Sequence, residues 1–217
     1  MRPPRIEVPA RSARLPMQAA SRRKPEFKAL DGKTLKRPAI EGFACLTETV
    51  FEHGDRLVFF RAGAFTGTVH APTTKRLLFD HADARSYGST ASGLEFANTT
   101  RGLAFRMPLA GDDGCAVYDA VTSGERACVS VGVRYSDFET QTIAGYKVDV
   151  INSADLIEIS LCRQGAVPET FAALVDIADE PPLWEAARSP AFATRKVVAN
   201  VDARVRRITE ALAGISR

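Results

Sequence analysis

Between residues 40 and 162, short apolar or alternating runs are separated by clusters of Gly, Asp, Ser and Thr. IEGFACL (40–46), RLVFFR (56–61), RLLFD (76–80), GLAFRMPL (102–109), ACVSVGVRY (127–135), KVDVI (147–151) and DLIEISLC (155–162) have the length and residue types of strands. Asn152 and Ser153 join the last two runs. Along DLIEISL the two-residue period of a strand puts Leu156, Glu158 and Ser160 on one face and Ile157, Ile159 and Leu161 on the other. Glu158 is thus flanked by strongly apolar neighbours. Helices are predicted over 114–123 and over 168–177, where Pro168 suits a first helical turn. The sum is an α+β domain built on a substantially closed sheet.

The periodicity changes near the C-terminus. Val198, Val201, Val205, Ile208, Leu212 and Ile215 alternate spacings of three and four, which makes one apolar stripe on an amphipathic helix over 194–213. Pro181, Pro182 and Pro190 separate that helix from the preceding strands. Its stripe packs either on its own chain or on another copy, as a self-association element.

Composition bounds the organisation. A chain of 217 residues, 45% hydrophobic and 25% charged, supports one core with tails. The expected division is a basic, disordered arm over 1–38, a domain over 39–180, and a Pro-containing linker with the amphipathic helix over 181–217. Residues 1–38 hold eleven Lys and Arg against three acidic residues, whereas the remainder holds eighteen basic and twenty-three acidic. Pro3, Pro4, Pro9, Pro16 and Pro25, with little periodicity, argue for an extended arm, either a solvated leader or a contact for nucleic acid or an acidic protein surface. No apolar run approaches the ~20 residues of a spanning helix, and the basic N-terminus lacks an apolar signal core, so a soluble, unexported protein is expected. Cys45, Cys115, Cys128 and Cys162 are far apart, with no Cys-x-x-Cys pair and no histidine at ligand spacing, which predicts reduced thiols and no metal site.

Candidate chemistry lies in three of the apolar runs: His81 in LLFDHAD, Ser130 in ACVSVGVRY and Glu158 in DLIEISLC. A serine hydroxyl needs a neutral imidazole to take its proton and a third group to orient that imidazole, and three strands can present such a set. His53, in an EHGD turn, and His70, in a HAPTT loop, compete with His81 as base; Cys128 is a rival nucleophile on the face of Ser130. Asp149 and Asp155 are substitutes for Glu158, which alternatively pairs with Arg134. Asp80 is disfavoured because adjacent strand residues point to opposite faces. Gly132, two residues past Ser130, gives a substrate backbone close access or marks a β-bulge.

The order EGFACLTETVFEHGDRLVFFRAGAF, LLFDHAD, GLAFRMPLA, ACVSVGVRY, DLIEISLC resembles the prohead maturation serine proteases of tailed bacteriophages over about residues 38–175. Its strongest pieces are the RAGAF turn, the apolar run ending in His81, Ser130-x-Gly132 and the leucine-glutamate-x-serine strand. The resemblance implies a fold related to the herpesvirus assembly proteases, a compact, mostly antiparallel β-barrel surrounded by helices. It also implies an enzyme packaged in assembling proheads in the host cytoplasm. There it removes scaffolding segments of the capsid protein, or a separate scaffold, and commonly cuts itself. His81 then matches the general base, Ser130 the nucleophile and Glu158 the position of the third residue, with no cofactor required. Arg163, followed by Gly165, occupies the place of an arginine-containing oxyanion loop, although CRQGAVPET departs from the apolar, proline-rich continuation common in phage members. Two other readings are a non-catalytic capsid-assembly protein on the same fold and a nucleic-acid binder led by the basic arm.

Overall fold

The computed structural model describes residues 26–167 and 169–187. The arm as far as residue 25 and the helix expected over 194–213 lie outside the described residues. The strands are β1 (Pro38–Leu46), β2 (Val50–His53), β3 (Arg56–Phe60), β4 (Arg76–Phe79), β5 (Gly88–Ser89), β6 (Glu95–Thr99), β7 (Gly102–Pro108), β8 (Cys128–Ile143), β9 (Tyr146–Cys162) and β10 (Phe171–Asp176). The helices are α1 (Thr66–Val69), α2 (Gly111–Thr122) and α3 (Leu183–Ala187). No described helix is long and apolar enough to cross a membrane.

All seven apolar runs form strands, but they do not close into the expected barrel. They form a four-stranded antiparallel sheet, β10-β1-β7-β6, and a mixed six-stranded sheet in which β2-β3-β9-β4-β5 is joined by β8 on β9. The reason is the length of β9, which runs unbroken through Asn152 and Ser153. One edge of β9 pairs antiparallel with β8 along its length. Its other edge takes two parallel partners end to end, β3 at Val148–Ile151 and β4 at Glu158–Leu161. The helix expected over 168–177 is replaced by β10. Its apolar residues pair with β1, from Phe43 opposite Phe171 to Pro38 opposite Asp176. The other expected helix is α2, which starts at Gly111 and carries Asp112 and Asp113 in its first turn, where carboxylates favour the helix dipole.

The two sheets enclose one main core that includes Phe43, Phe60, Phe65, Phe105, Leu77, Leu103, Ile151 and Ile159. Each such side chain contributes about 1.5–3 kcal/mol through burial. Residues 26–37 belong to this body as well: Phe27 and Leu35 reach the core. The Asp176 carboxylate accepts the main-chain N–H groups of Lys36 at 2.7 Å and Arg37 at 3.0 Å. Those donors, Lys36 first, hold its carboxyl below the usual range. The segment after β10 is held by a buried ion pair. Arg106 donates to Glu41 Oε2 through Nε at 2.9 Å and Nη2 at 2.6 Å, and to the Pro181 carbonyl at 2.8 Å. The same carboxylate oxygen receives Leu183 N–H at 3.2 Å, so the charges are satisfied by several partners, which a buried pair requires.

Candidate active site

Strands β8, β9 and β4 lie side by side. Across β8 and β9, Ser130 stands opposite Ser160 and Gly132 opposite Glu158, so Ser130, Glu158 and Ser160 share one face. On the far side of β9, Leu78 aligns with Ser160 and Phe79 with Leu161, which brings the end of β4 beside them. The chain leaves β4 through two left-handed non-glycine residues, Asp80 (φ 49°) and His81 (φ 59°). This conformation costs an L-residue about 1–2 kcal/mol and persists where neighbours enforce it.

The neighbours are all present. Asp80 N–H donates to the Leu161 carbonyl at 3.1 Å and Ala82 N–H to that of Phe79 at 2.9 Å. His81 N–H donates to Ser160 Oγ at 3.0 Å. Arg126 Nε donates to the Asp80 carboxylate at 2.8 Å, while its guanidinium lies 5.2 Å from the centre of the Phe79 ring. Phe79 stacks on Tyr87 with centroids 3.8 Å apart, and Arg85 lies 4.7 Å from the Tyr87 ring. Two stacked rings, each with a guanidinium, clamp the base of the turn.

The turn carries the imidazole back over β9, where His81 Nδ1 is 2.7 Å from Glu158 Oε1. A carboxylate only accepts, so Nδ1–H is the donor, and in the neutral ring Nε2 keeps its lone pair. The second carboxylate oxygen receives the Ser160 hydroxyl at 2.7 Å. The Glu158 side chain is 8% exposed and that of His81 46%, so a buried carboxylate holds a ring that is open to solvent. Ser130 and His81 line one groove of about 770 Å³, together with Gly132, Cys162 and residues 164–167. Of the two serines that face each other, Ser160 is fully enclosed, and Ser130 opens to the groove.

Both candidate glycines have steric reasons. A Cβ on Gly132 would overlap the Glu158 carboxylate, so glycine makes the room in which that side chain reaches His81. A register shift follows at once, between Gly132 and Val133, as a bulge should give. A Cβ on Gly165 would meet Thr170 Oγ1 at 2.7 Å and the Val129 carbonyl at 2.8 Å. Glycine there lets the 164–167 segment lie against β8, one residue from Ser130. Arg163 itself points its guanidinium at Glu125, 2.8 Å away, and is 71% exposed; the groove wall begins with Gln164.

The competitors come from other elements or have other partners. His53 lines the groove but comes from the end of β2, and His70 is exposed after α1. Arg134 pairs with Asp155 at 3.0 Å, and Asp149 with Arg56 at 3.0 Å. Asp80 is taken by Arg126. Cys128 faces Cys162 across the ladder, and it is Cys162 that lines the groove. Burial first, then the charge of Asp80, pushes the Cys162 thiol up to about 11. Its thiolate fraction at pH 8 is then about one in a thousand. Iodoacetamide is expected to alkylate Cys162 hardly at all at pH 8, with a rate rising about tenfold per pH unit toward pH 11, read by peptide mass. Rapid alkylation at pH 8 would contradict this.

Sequence reasoning missed the outer part of the groove, where Phe51 and Glu52 of β2 meet Phe60 and Tyr135. The only signal there was the EHGD turn, which implied a hairpin but not where it would pack.

No curated protein matches the chain by sequence. Among solved structures it is similar to the KSHV protease in complex with a hexapeptide phosphonate inhibitor. That likeness has 9% identity and a TM-score of 0.41, over 64% of this chain and 65% of the other. It is also similar to the Kaposi's sarcoma-associated herpesvirus protease in complex with an allosteric inhibitor. Here identity is 11% and the TM-score 0.36, over 82% and 90% of the two chains. Likenesses this distant assign neither fold nor chemistry. The family model described as Caudovirus prohead serine protease, however, matches residues 26–180, a span that takes in every side chain of the groove and most of the chain. The chain belongs to the caudovirus prohead serine protease family.

Proposed function

We propose that this chain is an endopeptidase of head maturation that cuts capsid-protein or scaffold segments, and itself, inside proheads assembling in the bacterial host. Ser130 is the nucleophile, His81 the general base and Glu158 the group that orients His81. The observation that carries this reading is the His81 Nδ1–Glu158 bond, which leaves Nε2 of the neutral ring as the base, in a side chain that lines the same groove as Ser130.

Ser130 Oγ attacks the peptide carbonyl carbon while His81 Nε2 takes its proton; the imidazolium then returns that proton to the leaving amine as the C–N bond breaks. Water repeats the sequence on the acyl-enzyme. Main-chain N–H groups of residues 164–166, beside β8, are the donors for the developing oxyanion. Arg163 anchors that segment through Glu125, and Gly165 permits its close approach. The substrate is an extended chain added to the outer edge of β8, which pairs only with β9 among the described residues. Thr170 Oγ1 already covers the outward groups of Val129, so added pairing starts at Val131.

A fluorophosphonate probe tests the site without knowledge of the substrate. Attack by Ser130 forms an Oγ–P bond and expels fluoride, with the proton passing to His81. We expect one mass increment on wild type, confined to the peptide containing Ser130, and labelling slowed at least about a hundredfold by His81→Ala. Equal labelling of wild type and Ser130→Ala would overturn the assignment.

A further inference from the structure

The mechanism above leaves Ser160 unused. Ser160 is the serine of the glutamate-x-serine strand, and it is completely buried. A hydroxyl has one proton to give and two lone pairs to accept with. Ser160 gives its proton to Glu158 Oε2 at 2.7 Å and accepts the main-chain N–H of His81 at 3.0 Å.

The two bonds constrain different parts of one pair. Engaging Oε2 fixes the rotation of the carboxylate and leaves Oε1 as the oxygen turned to His81 Nδ1. Accepting the His81 N–H holds the backbone of a residue whose left-handed φ of 59° needs enforcement. Oxygen and imidazole are therefore set from a single atom. We propose that Ser160 is a positioning residue for catalysis, fixing the alignment of His81 with Glu158 without touching substrate. The inference rests on the protease reading given above.

The test is the rate of fluorophosphonate labelling at Ser130 in wild type, Ser160→Ala, Glu158→Gln and the double variant. Ser160→Ala leaves Glu158 Oε2 and the His81 N–H without their partner, and we expect a rate lower by about ten- to hundredfold. In the Glu158→Gln background the same substitution should add less than about threefold, because the route it acts through is already lost. Proton NMR supplies a second readout: the low-field Nδ1–H resonance of His81 in wild type should move or vanish in Ser160→Ala. Ser160→Cys, close in volume and a weak donor, should fold and label slowly, and it stands in if the alanine variant does not fold. Wild-type rates in the folded variants, or a Ser160→Ala effect of undiminished size in the Glu158→Gln background, would overturn the proposal and leave the protease reading intact. A wild type that labels no faster than Ser130→Ala would remove both.

Discussion

Ser130→Ala is expected to abolish processing when the chain is co-expressed with its neighbouring capsid or scaffold protein, a loss of about 10⁶ in turnover by comparison with a well-studied serine protease. Intact mass of every product is the measurement. Fragments should arise with wild type only, and their masses locate the cleaved bond. The fold should survive the change, because the Ser130 side chain opens to the groove and the ladder contacts of β8 are made by its backbone. Residual activity from Cys162 should be small, because burial raises its thiol to about 11. Identical masses with both forms, while the folded protein still binds its partner, would transfer weight to the reading in which the chain assists assembly without cutting.

Much of the fold could be read from the two-residue alternation and from Gly and Asp punctuation, because both record local backbone demands. What pattern alone does not encode is which edges pair. A substantially closed sheet was the sum of the seven runs, and the barrel was what the family resemblance implied. The actual pairing depends on β9 being long enough for two parallel partners on one edge, and nothing in KVDVI or DLIEISLC states that they form one strand. The segment FAALVD, expected as part of a helix, was misassigned for a similar reason. Its apolar residues suit a helix or a strand, and the free edge of β1 decides for the strand. In the site, the order of the motifs brought His81, Ser130 and Glu158 forward, while the choice among Glu158, Asp155 and Asp149 lay in cross-strand register. Glu158 is opposite a glycine and can reach across, whereas Asp155 is opposite Arg134 and pairs with it. The two adjacent left-handed residues at Asp80 and His81 were not legible, because Asp and His are enriched in that conformation yet adopt it in only a small share of cases, so their types alone do not announce it.

Glu158→Gln should lower both processing and fluorophosphonate labelling by about 10⁴, the loss seen when the equivalent carboxylate of a serine triad is made an amide. The reason here is specific to the hydrogen bonds that surround it. Ser160 offers a proton to one oxygen of residue 158, and His81 Nδ1 lies 2.7 Å from the other. A glutamine satisfies Ser160 with its carbonyl oxygen and so turns its NH₂ toward Nδ1. That nitrogen must then be the acceptor, the ring proton moves to Nε2, and Nε2 becomes a donor that cannot take the proton of Ser130. The volume of the side chain is unchanged, so Gly132 still accommodates it and the protein should melt close to wild type. Loss of activity with retained melting temperature separates an orienting carboxylate from one that merely stabilises the β8–β9 ladder. Near-wild-type labelling by Glu158→Gln would mean that His81 holds its productive tautomer without Glu158, and the third role would have to be reassigned.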